Sequence, residues 1–75
     1  MIKLYTKYNC PQCEFTKKYL DNNDIEYTAT NVEEDEQAFN YVKNELGMSS
    51  MPVVEIPEQP AFSGFRPDLL AKAGK

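Results

Sequence analysis

Cys10 and Cys13, in the stretch YNCPQCEF (residues 8–15), are the only cysteines of the chain, and two residues separate them. Thiols at that spacing can do three kinds of chemistry: ligate a metal, close a structural disulfide, or cycle between dithiol and disulfide. A zinc or iron–sulfur site needs about four protein ligands. The chain has two cysteines and no histidine, so it cannot complete such a site alone, although a dimer could share one. A structural disulfide across so short a loop gains little from chain entropy, and small secreted domains held by disulfides carry several more cysteines. In a reducing compartment a lone Cys-x-x-Cys beside a strand and helix pattern points to reversible redox catalysis.

The elements that must position the pair can be read on either side of it. IKLYT (2–6) alternates, with Ile2 and Leu4 on one face, and predicts a first strand ended by a polar turn at KYN. Pro11 follows Cys10, and proline is favoured at the first position inside a helix, where its missing N–H costs nothing. Cys10 is therefore expected at the N-cap and Cys13 one turn in. That helix is expected over 11–22, burying Phe15, Tyr19 and Leu20 and ending at DNND. IEYTATNV (25–32) predicts a second strand. EEDEQAFNYVKNELG (33–47) predicts a second helix with Ala38, Phe39, Tyr41, Val42 and Leu46 on one stripe and Gly47 as its stop. Its acidic start suits a helix N-terminus, and no binding role is attached to it. PVVEI (52–56) and PAFS (60–63) predict an antiparallel strand pair, and RPDLLAKA (66–73) a last short helix. The order is β-α-β-α-β-β-α: an α/β domain over residues 1–75, with a four-stranded mixed sheet flanked by three helices.

Composition limits the partners. Twelve acidic against eight basic residues give a net charge of −4, with no electrostatic footprint for nucleic acid or an anionic membrane. The apolar fraction of 41%, with five tyrosines and four phenylalanines, is enough for a core in a 75-residue chain. Met1 runs directly into the alternating first strand without a basic-then-apolar leader, and no apolar run approaches a bilayer's thickness, so a cytoplasmic protein is expected.

At the start of a helix the unpaired N–H groups and the positive dipole end favour an anion, so Cys10 should ionise more readily than a free thiol and act as the nucleophile. Cys13, deeper in the helix, is placed to attack a mixed disulfide on Cys10 and close the intramolecular bond. A metallochaperone also sets Cys-x-x-Cys after a first strand. That fold needs two strands between its helices, where this pattern shows one.

The strand, the Cys10-Pro11-Gln12-Cys13 helix start and Met51-Pro52-Val53 resemble the thioredoxin fold as it occurs in glutaredoxins, over essentially the whole chain. FSGFRPD (62–68) is similar to the signature of the NrdH-redoxins, glutaredoxin-like proteins that behave like thioredoxins. The resemblance implies a thiol–disulfide oxidoreductase, monomeric, without cofactor or metal. It would take electrons from NADPH through thioredoxin reductase and pass them to the large subunit of class Ib ribonucleotide reductase. It implies a cis Met51–Pro52 bond facing the cysteines, with backbone that pairs with an incoming peptide. It also implies that Phe62, Ser63, Gly64, Phe65, Arg66, Pro67 and Asp68 contact protein partners; Phe62 and Phe65 are expected either as an exposed apolar patch beside Cys10 or as core residues.

Several positions depart from the wider pattern. Pro11 is the glutaredoxin-like choice where these redoxins often carry valine or methionine, and Phe62 stands where many have tryptophan. Glutaredoxins typically show tyrosine at Gln12, threonine at Ser50 and a double glycine followed by an acid after the hairpin. The chain has Phe62-Ser63-Gly64-Phe65 there, so glutathione's carboxylate would lose its backbone cradle, with Asp68 as a remnant of the acid. A glutathione-dependent glutaredoxin, with or without a shared iron–sulfur cluster, is the closest alternative. Tyr8 is expected to border the site, and Lys7, Lys17 and Lys18 surround it as solubilising charges or as support for a thiolate.

Overall fold

In the computed structural model, which describes residues 1–74, the chain runs β1 (Ile2–Thr6), α1 (Pro11–Asn22), β2 (Tyr27–Asn31), α2 (Glu36–Asn40), β3 (Val53–Glu55), β4 (Phe62–Ser63) and α3 (Pro67–Leu70). The thioredoxin-like fold and its element order are as expected. A single π-helical turn, Tyr41–Glu45, prolongs α2, and a 3₁₀ turn, Ala71–Gly74, prolongs α3. The sheet order is β2-β1-β3-β4. β1 pairs in parallel with β2, from Ile2 opposite Tyr27 to Thr6 opposite Asn31, and antiparallel with β3, which pairs antiparallel with β4.

The central strand divides the core. Ile2 and Leu4 turn to the α1 and α3 side, where they pack with Leu20, Val54, Ile56 and Leu70. Tyr5 turns the other way and packs with Val32, Val42 and Val53 under α2. Leu4, Leu20, Val53, Val54 and Leu70 are fully buried; each such side chain contributes about 1.5–3 kcal/mol by leaving water. On the α2 side the Tyr5 and Tyr41 hydroxyls both donate to the carboxylate of Glu55. Burial first, and then the Glu55 charge, push the Tyr5 phenol up to about 12.

Three expectations about the elements need correction. α1 buries Cys13, Thr16 and Leu20, whereas Tyr19 is half-buried and Phe15 is 53% exposed. The buried stripe is set by Cys13 and Thr16 at a spacing of three, which leaves Phe15 on an outer flank. α2 begins at Glu36 rather than Glu33, because Asp35 is its N-cap and its carboxylate accepts the Ala38 N–H at 3.1 Å. The preceding residues form a turn in which Asn31 Oδ1 accepts the Glu33 N–H at 2.8 Å. In the helical segment that follows, Val42 is buried, but Phe39 is exposed and carries Lys43 over its ring. β2 is shorter than 25–32 because the Ile25 N–H bonds back to the Leu20 carbonyl at 2.9 Å and closes α1. Gly47, at φ +67°, supplies the left-handed residue that ends the second helical segment.

Candidate active site

β1 delivers the chain to the loop Lys7–Asn9. Asn9, at φ +54°, turns it into α1, and Cys10 takes the extended N-cap conformation, φ −120° and ψ 95°. Pro11 occupies the first turn as expected. Cys10 and Cys13 are joined in a disulfide, with Cα atoms 5.3 Å apart, and the Cys13 N–H donates to Cys10 Sγ at 3.2 Å. Sulfur thus takes the capping role that a Ser or Asp oxygen usually fills. The same N–H is placed to stabilise a thiolate after reduction. Cys10 keeps 8% of its surface and Cys13 only 1%, so the more accessible cysteine is the one at the cap.

The Met51–Pro52 bond is cis, as the resemblance implied. Pro52 is fully buried, Met51 is half-buried against the α2-side core, and the Pro52 carbonyl accepts the Gly64 N–H at 2.8 Å. Gln12 connects this corner to the cysteine turn, because its Oε1 accepts the Phe65 N–H at 3.1 Å. Gly64 has φ +87°, and a Cβ there would stand 3.6 Å from the same oxygen. Segment 62–65 is therefore tied both to the cis proline and to the residue between the cysteines.

Of the two expectations for Phe62 and Phe65, an exposed patch or core, their packing is closer to the core. Phe62 and Phe65 are both half-buried and packed on the α1-side core. Phe65 also lies 6.0 Å, centroid to centroid, from Phe15 and 6.4 Å from Tyr19. The exposed aromatic of the cluster is Phe15, which the helical periodicity assigns to the core. Ser63, Arg66, Pro67 and Asp68 are exposed. Arg66 and Asp68 form a two-contact ion pair at 3.2 and 3.0 Å, and the guanidinium holds the Asp68 carboxyl below its usual range. Asp68 is thus engaged by its own neighbour.

On the other flank of Cys10 an open cleft is lined by Thr6, Lys7, Tyr8, Asn9, Pro11, Glu14, Lys17 and Asn31. Tyr8 borders the site as expected and is 54% exposed. Its N–H donates to Glu33 at 2.6 Å and its hydroxyl to Glu34, which raises the phenol above its usual range. Lys17 pairs with Glu14 at 3.5 Å, whereas Lys18 is exposed and not part of the cleft lining. Sequence patterns alone do not place Phe15, Glu33 or Glu34 at the site. The parallel β1–β2 pairing is the available signal for the two acids, since it sets residues following β2 beside residues following β1.

Two thiols at disulfide distance, one capping a helix and one beneath it, can exchange two electrons with another disulfide. A family model described as Glutaredoxin matches residues 2–60. The glutaredoxin-like protein NrdH of Lactococcus lactis subsp. cremoris (strain MG1363) is 39% identical over 72 residues, covering 96% of this chain and 97% of that one. The protein of that description from Escherichia coli (strain K12) is 33% identical over 69 residues, covering 92% and 83%. The solved structure of the glutaredoxin-like protein NrdH-redoxin from Escherichia coli superposes with a TM-score of 0.88 at 31% identity, covering 95% of this chain and 91% of that one. With its cysteine pair at the head of α1, the chain belongs to the glutaredoxin family as an NrdH-type thiol–disulfide oxidoreductase.

Proposed function

We propose that this protein is a cytoplasmic dithiol electron carrier, reduced by NADPH through thioredoxin reductase and donating electrons to the large subunit of class Ib ribonucleotide reductase. Cys10 is the attacking residue and Cys13 the resolving one. The observation that carries these roles is the cap geometry: Cys10 is the more exposed cysteine and its Sγ receives the Cys13 N–H at 3.2 Å. In the reduced protein the Cys10 thiolate attacks one sulfur of the client disulfide, forming a mixed disulfide and releasing the client's other sulfur as a thiolate. Cys13, losing its proton, then attacks Cys10 Sγ. The Cys10–Cys13 bond forms, the mixed disulfide breaks, and the client leaves with two electrons and two protons gained. Thioredoxin reductase reverses this by passing two electrons from its own dithiol.

The choice of reductant rests on the surface around Cys10. The N–H groups of Gly64 and Phe65, where a glutaredoxin would offer a backbone cradle, are already bonded to the Pro52 carbonyl and to Gln12 Oε1, and Asp68 is paired with Arg66. A small peptide thiol would have to break these contacts. A protein surface can instead dock on Phe15, Phe65 and the exposed Ser63 and Arg66, with Met51, Pro52, Tyr8, Pro11 and Gln12 shaping the site. The NrdH-redoxin of Escherichia coli is described as having a thioredoxin-like activity profile, which favours the same reading here. A potential near thioredoxin's, about −270 mV, would also leave the dithiol largely oxidised against a glutathione pool at roughly −220 to −260 mV.

The test is NADPH consumption with the same oxidised protein in two coupled assays. Thioredoxin reductase is expected to reduce the Cys10–Cys13 disulfide quickly. Glutathione reductase with millimolar glutathione is expected to do so slowly. Faster turnover through glutathione would replace this reading with a glutathione-dependent glutaredoxin.

A further inference from the structure

The acidic run after β2 looks, in sequence, like a solvated helix start. In the structure its first two residues leave that helix and meet the redox loop. β1 and β2 are parallel, with Thr6 opposite Asn31, so the segments that follow them emerge at one end of the sheet. The Asn31 carboxamide accepts the Glu33 N–H at 2.8 Å and its carbonyl the Glu34 N–H at 3.0 Å, folding both acids into a turn. From that turn the Glu33 carboxylate accepts the Tyr8 N–H at 2.6 Å, and the Glu34 carboxylate accepts the Tyr8 hydroxyl. Both acids are exposed, so nothing forces them onto Tyr8 by burial; the contacts are charge-assisted hydrogen bonds.

The redox loop thus holds a fixed negative charge two residues ahead of the cap. Two residues span at most about 7 Å, which places the Glu33 carboxylate within about 10 Å of the Cys10 amide once the 2.6 Å contact is added. We propose that Glu33 is a positioning residue that tunes the Cys10 nucleophile: anchored on the Tyr8 N–H and braced by Glu34 on the Tyr8 hydroxyl, its carboxylate opposes the negative charge of the Cys10 thiolate.

The other charged groups around Cys10 leave this effect visible. Glu14 and Lys17 of α1 pair with each other, and Arg66 of the 64–68 segment pairs with Asp68. Lys7, in the loop, and the α1 N-terminus favour the thiolate; Glu33 and Glu34 oppose it. A nucleophile that ionises less readily stabilises the reduced form less, so the dithiol gives up its electrons more easily. The inference therefore deepens the proposed role as a reductant and rests on Cys10 being the attacking thiol. It also gives this chain a counterweight to Pro11, the glutaredoxin-like choice between the cysteines.

The test is the pH dependence of alkylation of the fully reduced protein by iodoacetamide, with the labelled cysteine identified by peptide mass spectrometry. Glu33→Gln keeps an oxygen for the Tyr8 N–H and removes the charge. The Cys10 sulfur lies up to about 3 Å beyond its amide, so a unit charge at about 10–13 Å, in an effective dielectric between that of water and about 20, corresponds to roughly 0.2–1.2 pKa units. The Cys10 profile of Glu33→Gln should move down by that amount. Below the pKa, alkylation should be about 1.3–4 times faster, after allowing for the weaker nucleophilicity of the more acidic thiol. The difference should shrink in molar salt, because the acids are exposed. Glu58→Gln, in the β3–β4 turn at the opposite end of the sheet, should leave the profile in place. If Glu33 only braced the loop, Glu33→Gln would retain the hydrogen bond and the profile would not move; that result, or an upward shift, overturns the proposal. Labelling of Cys13 in place of Cys10 would overturn it by a separate route, through the nucleophile assignment on which it rests.

Discussion

Gln12→Ala isolates the contact that joins the cysteine turn to segment 62–65. The Phe65 N–H donates to Gln12 Oε1 at 3.1 Å, whereas the neighbouring Gly64 N–H donates to the Pro52 carbonyl at 2.8 Å. A neutral hydrogen bond on an exposed backbone group is worth about 0.5–1.5 kcal/mol net, and with RT near 0.6 kcal/mol its loss should raise the opening equilibrium at Phe65 about 2- to 10-fold. The ring contacts of Phe65 with Phe15 and Tyr19 remain, at about 0.5–1.5 kcal/mol each, so the segment should loosen without detaching. Amide hydrogen exchange followed by NMR reads this directly: the Phe65 amide should exchange faster by that factor in Gln12→Ala, with Gly64 unchanged. If the segment docks partners, the KM for thioredoxin reductase should rise by a similar factor while kcat changes less. An unmoved Phe65 amide, or equal acceleration at Gly64, would refute the claim that Gln12 is the tether.

Four further outcomes are expected. Limiting alkylation of the reduced protein near neutral pH should label Cys10 before Cys13, by peptide mass spectrometry, because Cys10 is the more exposed cysteine and sits at the helix cap. Leu20→Ala, at a fully buried position packed on β1, should cost about 2–5 kcal/mol in urea unfolding with little change in the m-value. Phe15→Ala should cost only about 0.5–1.5 kcal/mol, the worth of its ring contact with Phe65, since Phe15 is 53% exposed, but should raise the KM for the protein reductase if that ring docks. Tyr5 is neutral in the folded protein up to about pH 12 but only to about pH 10 when unfolded, so its share of stability is complete below pH 10 and is lost as pH climbs toward 12. Tyr5→Phe should flatten that alkaline limb in a chemical-denaturation series.

What can be read from the sequence depends on whether a signal is local. The alternation of IKLYT, the proline after Cys10 and the left-handed Gly47 are local facts, and β1, α1 and the stop of the second helical segment stand where they predict. The buried face of α1 differs from expectation because an apolar count favours Phe15, whereas packing selects Cys13 and Thr16, the second of which satisfies its hydroxyl on the Gln12 carbonyl at 2.9 Å. The start of α2 differs because a run of acids suits any helix N-terminus, and only the Asn31 and Asp35 side-chain bonds decide which residue caps it. Within the site, the position of the cysteines, Pro11 at the helix start and the cis Met51–Pro52 bond are legible, the last by resemblance. Gln12's bond to Phe65 spans 53 positions and the Glu33 and Glu34 contacts with Tyr8 span 25 and 26. Such pairs appear only once the sheet order brings the segments together.

The division of labour between the two sulfurs is tested most directly by trapping. Oxidised large subunit of class Ib ribonucleotide reductase should be mixed with reduced Cys13→Ser or Cys10→Ser and resolved on a non-reducing gel with mass spectrometry of the adduct. Cys13→Ser should accumulate a mixed disulfide through Cys10 that dithiothreitol dissolves, because the attacking sulfur is present and its resolving partner is gone. Cys10→Ser should give none, because its remaining cysteine, Cys13, is buried. Equal adducts from both variants, or an adduct from Cys10→Ser alone, would contradict the account.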